Sequence, residues 1–254
     1  MSLTSVYQRL LEIMKKRGAG FLMLIDPDKT APAHLPSLIE KASQAGVDAF
    51  LVGGSLLLTP DFDRYIQTFK QYSQDKPVII FPGGVHQISA HADAILFLSL
   101  ISGRNADHLV GTQVQASPII HSLKLEPIST AYLLIESGQV TSAEFMSGTR
   151  PLPRHKPEIA VAHALTAQYF GFKLIYLEGG SGAKFSVPPT LIKAISSTVE
   201  IPIIVGGGIR TPEEAAEKVE AGASFVVTGT ILEAQNDSAF IREFASAIHQ
   251  KEND

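Results

Sequence analysis

The sequence predicts one α/β domain built as a single (β/α)₈ TIM barrel. The chain has 254 residues, the usual size of one such barrel. Eight short runs rich in Val, Ile, Leu and Phe alternate with amphipathic stretches from end to end. Glycine-rich groups follow the last three runs, at the barrel end where active sites collect. No composition break or low-complexity segment divides the chain, so residues 1–254 read as one domain.

The predicted strands are Gly20–Ile25, Asp48–Val52, Pro77–Phe81, Asp93–Leu98, Ser129–Ile135, Phe172–Leu177, Pro202–Val205 and Ser224–Thr228. Their continuous apolar character suits parallel strands covered on both faces. Eight of them, most with a helix between, favour closure over an open sheet.

The helices have readable ends. Pro32 opens an apolar-periodic run that Gly46 closes. Thr211-Pro212-Glu213-Glu214 supplies an N-cap, a first-turn proline and two acids that suit the helix dipole, and Gly222 ends that helix. Ala45–Phe50 and Ala221–Phe225 share one pattern, a C-cap glycine running straight into a strand. Two places depart from eightfold regularity. The chain between Phe81 and Asp93 is too short for a helix, so the third helical layer is expected to be a turn or loop. The polar stretch between Glu136 and His155 is expected to form a hairpin extension or a mobile lid.

Composition narrows the function. With no cysteine there is no thiol nucleophile, disulfide or thiolate metal site, so any metal is held by oxygen or imidazole. A net charge of -4 argues against a nucleic-acid partner. Lys15-Lys16-Arg17 is the one tight basic cluster; it sits at an apparent helix end, where cations suit the macrodipole, with a phosphate-binding patch as the alternative reading. The N-terminus lacks a signal-peptide pattern, and the longest apolar stretch, Ala94–Ile101, is far below the ~20 residues a bilayer requires. A cytoplasmic protein is expected.

The candidate site follows from what ends each strand. Glu178-Gly179-Gly180-Ser181-Gly182, Gly206-Gly207-Gly208 and Gly229-Thr230 place glycines on three adjacent strand ends. A phosphate needs converging backbone N–H groups with no Cβ in the way, and a helix N-terminus adds donors. Taken singly these glycines would only shape tight turns; three together point to a phosphate site. Asp26 ends the first strand, where its carboxylate either holds a hard cation such as Mg²⁺, with an oxygen from Ser55, or caps the turn that Asp-Pro starts. Glu178 either bonds a substrate hydroxyl and accepts its proton or pairs with a buried Lys or Arg. Tyr176 lies on the same face of its strand. His86, His91 and His155 lack metal-ligand spacing and read as loop or surface residues.

These motifs carry a resemblance. "LIDPDK" at Leu24–Lys29, "LVGGS" at Leu51–Ser55, "YLEGGSGA" at Tyr176–Ala183, "IIVGGGIRTPEEA" at Ile203–Ala215 and "VVTGT" at Val226–Thr230 resemble the geranylgeranylglyceryl phosphate synthase family, in order and over nearly the whole chain. The last two are common to many phosphate-binding barrels; the combination with the first three is specific. The resemblance implies a Mg²⁺-dependent transferase that joins sn-glycerol 1-phosphate to a long prenyl diphosphate, geranylgeranyl diphosphate in the family, through an ether bond. It implies metal positions at Asp26 and Ser55. It implies a glycerol phosphate site at Tyr176, Leu177, Glu178, Gly179, Gly180, Ser181, Gly182, Gly207, Gly208, Gly229 and Thr230, with Glu178 on the glycerol hydroxyls. One branch of the family carries Lys two residues before the metal Asp; that position is Leu24 here, and the sequence resembles the other branch, which reads "IDPDK". A prenyl tail also needs an apolar groove, expected in the gap left by the shortened third layer. Membrane contact is expected to be peripheral at most, for product release, and the chain is expected to form a homo-oligomer.

Two other classes fit part of the pattern. A phosphosugar isomerase or synthase barrel shares the late glycine motifs but needs acid/base carboxylates on the first and fifth strands, where the fifth offers only Glu136. A non-catalytic phosphate-binding barrel would need only the glycines.

Overall fold

A computed structural model describes residues 4–229 and 237–251. Eight parallel strands close on themselves in sequence order: β1 (Gly20–Ile25), β2 (Ala49–Val52), β3 (Val78–Ile80), β4 (Ala94–Ser99), β5 (Glu126–Leu134), β6 (Leu174–Glu178), β7 (Ile203–Gly206) and β8 (Phe225–Thr228). β1 pairs with β8 from Gly20↔Phe225 to Met23↔Thr228, which closes the ring. Each strand is one of those expected from the sequence.

Alternation along the strands separates two cores. Leu22, Leu51, Ile79, Ile128, Leu174, Ile204 and Phe225 fill the interior. Phe21, Met23, Phe50, Val52, Ile175, Leu177 and Val205 face outward against the helices. The helix α1 (Val6–Arg17) adds Val6 and Leu10 to the interior cluster and so plugs the N-terminal end of the barrel. Its entry is fixed by a capping box between Ser5 and Gln8. The Glu126 carboxylate also accepts the Val6 and Tyr7 N–H groups at 2.7 and 3.1 Å, an acid placed on the positive end of the helix dipole.

The outer layer comprises α2 (Leu35–Ala45), α3 (Phe62–Tyr72), α4 (Thr112–Leu123), α5 (Ser142–Ser147), α6 (Pro157–Tyr169), α7 (Pro189–Ser196), α8 (Pro212–Glu220) and α9 (Ser238–Ile248). Gly46 and Gly222 adopt φ values of 109° and 108°, the left-handed exits expected from their shared pattern. Thr211 Oγ1 caps α8 by accepting the Glu214 N–H at 3.2 Å. No helix lies between β3 and β4, as the short connection requires.

The segment after β5 corrects an expectation. It is no hairpin extension: it forms the short helix α5, capped by Thr141, and returns through a parallel bridge between Ile135 and Leu152. Leu152 N–H bonds Leu134 O at 2.8 Å, and Glu136 N–H bonds Leu152 O at 2.9 Å. The unspent edge groups at the end of β5 draw the chain back in the parallel sense.

Arg17 ends α1 beside buried Asp48, at 3.0 Å, and Asp48 also bonds His249 at 2.9 Å and the Phe21 N–H at 2.8 Å. Arg17, the last residue of the basic cluster, is therefore part of a joint where α1, the start of β2 and the end of α9 meet. Among the described residues no helix is long and apolar enough to cross a membrane.

Candidate active site

The strand ends converge on a cavity of about 530 Å³ at the C-terminal mouth of the barrel. Glu178 is its chemical centre. It is 6% exposed, and Tyr132 Oη donates to its Oε2 at 3.1 Å. The Gly180 N–H donates to Oε1. Beneath it Phe81, Tyr132 and Tyr176 form an aromatic floor. Phe81 stacks on Tyr176 with centroids 5.0 Å apart, and Tyr132 lies 5.4 Å from Tyr176.

That floor sets the electrostatics. Burial pushes the Glu178 carboxyl up to about 7, against the opposing pull of the Gly180 N–H and the Tyr132 hydroxyl. Burial and the nearby Glu178 charge hold both tyrosines well above the usual phenol range. Among the described residues no Lys or Arg pairs with Glu178. Of the two sequence readings of Glu178, the buried ion pair is the one the geometry removes.

Gly180, Ser181, Gly182, Gly207, Gly208 and Gly229 all reach the cavity, while Thr230 lies outside the described residues. Gly207 has φ 77°, and a Cβ there would collide with Glu178 Oε1 and with Gly180 N and O. Only glycine fits so close to the carboxylate. Among the described residues the Gly207 and Gly208 N–H groups have no backbone acceptor. Two of the residues expected in the site do not line the cavity. Leu177 projects from the opposite face of β6 into the helical layer. Gly179 stays out of the lining because its N–H is spent on Gly206 O at 2.8 Å.

Asp26 reaches the mouth, and of the roles the sequence left open the turn cap is the one seen here. Its Oδ1 accepts the Asp28 N–H at 3.0 Å, capping the turn. Its Oδ2 lies 3.2 Å from Lys29 Nζ, so it is not an unpaired carboxylate. The spacing of Asp26 and Lys29 along a tight turn brings the cation back to it. Ser55 also lines the cavity, and Gly54 lies close enough that a Cβ would sit 3.6 Å from Asp26 Oδ1. Asp28 is turned away from this chemistry: its carboxylate staples the next loop by accepting the Leu58 and Thr59 N–H groups at 2.8 and 2.7 Å. Among the described residues no group of three or more His, Asp or Glu gathers to hold a metal. A single carboxylate at an open mouth would fit a Mg²⁺ whose remaining ligands were water and phosphate oxygens.

From this polar rim the cavity continues as an apolar groove. It passes Val85 and Ile88 of the β3–β4 loop, then Phe97, and runs beneath Ala116 and Ile120 of α4. Leu24 lines the groove side of Asp26.

Several contributors were not apparent from the sequence. Tyr132 had a faint signal, an aromatic residue with a polar tip on the inward face of a buried strand. Buried Gln87 had none: its amide bonds Gly54 O at 2.8 Å and accepts the Gly83 N–H at 3.2 Å, locking two loops of the mouth together. Glu136 is exposed and does not line the cavity, so the second acid of an isomerase site is missing from the fifth strand. His86 and His155 are exposed, and His91 lies 3.6 Å from Asp63.

Comparison with known proteins follows the same geometry. The PcrB family matches residues 11–248. The geranylgeranylglyceryl phosphate synthase of Flavobacterium johnsoniae is 47% identical over 238 residues, covering 94% of this chain and 97% of its own. That of Chitinophaga pinensis is 40% identical over 244 residues, covering 96% of each chain. Among solved structures, the (S)-3-O-geranylgeranylglyceryl phosphate synthase of Thermoplasma acidophilum, in complex with its substrate sn-glycerol-1-phosphate, superposes with a TM-score of 0.91. It is 35% identical, and the match covers 98% of this chain and all of the other.

Proposed function

The chain belongs to the PcrB family, and from that premise we propose that it joins sn-glycerol 1-phosphate to a long prenyl diphosphate, geranylgeranyl diphosphate by family likeness, making an ether lipid precursor and releasing pyrophosphate. The observation that carries this reading is one cavity with two chemistries. A hydroxyl-directed acid and glycine donors stand at one end, and an apolar groove leads away from the other.

The glycerol phosphate sits with its phosphate against Gly182, Gly207, Gly208 and Gly229, whose backbone donors approach without steric hindrance. Its free hydroxyl then meets Glu178. The hydroxyl oxygen attacks C1 of the prenyl chain, the bond from C1 to the diphosphate oxygen breaks with its electron pair, and the hydroxyl proton passes to a Glu178 oxygen. A carboxyl pushed up to about 7 is suited to that exchange at neutral pH. Tyr132 and the Gly180 N–H hold the carboxylate in one orientation, which supplies positioning more than activation. The tail lies along Val85, Ile88, Ala116 and Ile120, away from water. Mg²⁺ fits at Asp26, with an oxygen from Ser55, and when bound supplies positive charge for the departing diphosphate. Lys29, beside Asp26, adds a cation on the same side.

The exposed apolar side chains Val110, Val114 and Leu123, on and just before α4, support self-association. Light scattering reporting only monomer would remove that part of the reading. The central test is incubation with sn-glycerol 1-phosphate, Mg²⁺ and prenyl diphosphates of graded length, followed by mass spectrometry. Prenylglyceryl phosphate and pyrophosphate in equal amounts are expected. No ether product at any chain length would refute the function.

A further inference from the structure

Behind the loop that follows Gly182, on the outer side of the barrel, lies a second cavity of about 200 Å³. It opens between the start of α7 and the flank of α8. Arg154, Lys184, Arg210 and Lys218 face it, with Glu214 as the acid among its lining residues. Four cations around so small a hollow stand out in a chain of net charge -4.

The cations are held in place. The Arg154 guanidinium lies 4.9 Å from the Phe185 ring centroid and Lys184 Nζ lies 5.2 Å from it, two cation–π contacts on one ring. Arg154 also donates to Glu136 O at 3.2 Å, and Arg210 donates to Lys184 O at 3.2 Å. Glu214 Oε2 accepts the Arg210 backbone N–H at 2.7 Å, and among the described residues it makes no contact ion pair with the four cations.

Lys218 is the decisive member. It is 3% exposed, and among the described residues its ammonium has no hydrogen bond or ion pair. Burial holds the group below the usual lysine range. Glu217 and Glu214 oppose that shift, and the Arg154 charge adds to it. The stem of Lys218 is packed along the flank of α8 while the residue lines the hollow, so an anion there would supply its ammonium with an acceptor that the described residues do not.

We propose that this hollow is a second anion site, separate from the glycerol phosphate loops, that takes a phosphate group. The phosphate comes either from free inorganic phosphate or diphosphate or from the headgroup of an anionic lipid. Arg210 lines both cavities, and the residues that follow Gly182 in the chain line the outer one, so an anion outside bears on the segment that leads into the inner phosphate loops. Any such coupling is reciprocal.

The test is calorimetric titration of inorganic phosphate into the full chain saturated with sn-glycerol 1-phosphate. One further phosphate equivalent is expected. In Arg154→Gln and in Lys218→Met its affinity should fall by about tenfold or more, the size expected for a lost charged hydrogen bond. If the inner site does not take glycerol phosphate, wild type should show two phosphate events and each variant should lose one. The two readings therefore fail separately. A parallel arm sediments the protein with phosphatidylglycerol or phosphatidylcholine vesicles. Binding to the first alone, lost in both variants, assigns the lipid source; phosphate binding without vesicle binding assigns the free anion. Lys218→Met alters the packed flank of α8, so Arg154→Gln, at the edge of the hollow, is judged first by its thermal melt. Unchanged phosphate affinity in a normally folded Arg154→Gln protein, or no second equivalent in wild type with no preference for phosphatidylglycerol vesicles, overturns the proposal.

Discussion

Tyr132 on β5 and Glu178 on the neighbouring strand β6 meet at 3.1 Å inside the barrel mouth, hydroxyl to carboxylate, with Gly207 packed against the other carboxylate oxygen. This contact ties the reactivity of the site to its burial.

The sign of the stability effect at Glu178 follows from its raised pKa. Its carboxyl ionises at about 7 in the folded chain, against 4.5 for an ordinary glutamate. The folded chain thus holds the proton more tightly, and this contribution is complete below about 4.5 and lost as pH rises through 7. The difference amounts to roughly 3 kcal/mol. Glu178→Gln removes the ionisable group, so at about pH 8 the variant should melt no earlier than wild type, and by about pH 5 any gain should vanish. Its turnover should fall by about 10²–10⁴-fold. A variant that melts much earlier yet turns over normally would end the catalytic reading.

Tyr132→Phe deletes the hydroxyl that helps stabilise the Glu178 carboxylate. The carboxyl pKa should rise further, so the ascending limb of kcat/KM against pH should move to higher pH, with its wild-type midpoint near 7. A merely structural tyrosine would lower the plateau and leave the midpoint in place.

Asp26→Asn keeps an oxygen to cap the Asp28 N–H but loses the charge a divalent cation needs. Near-wild-type melting with most Mg²⁺-dependent turnover gone is expected. Normal turnover with unchanged response to added Mg²⁺ and EDTA would refute the metal assignment.

Gly207→Ala places a methyl where Glu178 Oε1 and Gly180 already sit, at φ 77°. The left-handed backbone alone costs roughly 1–2 kcal/mol. Both Glu178 and the phosphate loop must shift, so the KM for glycerol phosphate should rise and kcat should fall together. Steady-state kinetics in which only the prenyl diphosphate KM changes would contradict this placement.

Ala116→Phe fills the groove beneath α4. Farnesyl diphosphate should be spared relative to geranylgeranyl diphosphate, because the block lies far from the reacting carbon. Equal loss with both substrates would place the tail elsewhere.

The sequence alone determined the barrel and the positions of its strands, because apolar runs and glycine punctuation are local signals repeated eight times. It also located the glycine loops and Glu178, since each directly follows a strand. It could not decide what surrounds them. The proton affinity of Glu178 depends on Tyr132, 46 residues away, and on the stack of Phe81 with Tyr176, which only closure of the sheet brings together. The two readings of Asp26 were inseparable in sequence because a turn-capping oxygen and a ligand oxygen belong to the same side chain. Leu177 and Gly179 were site residues by family resemblance, but strand alternation turned one outward and β7 took the N–H of the other. The apolar groove, the α1 plug and the basic hollow behind the phosphate loop join residues far apart in the chain. Their chemistry comes from burial and proximity, and those are properties of the packed barrel.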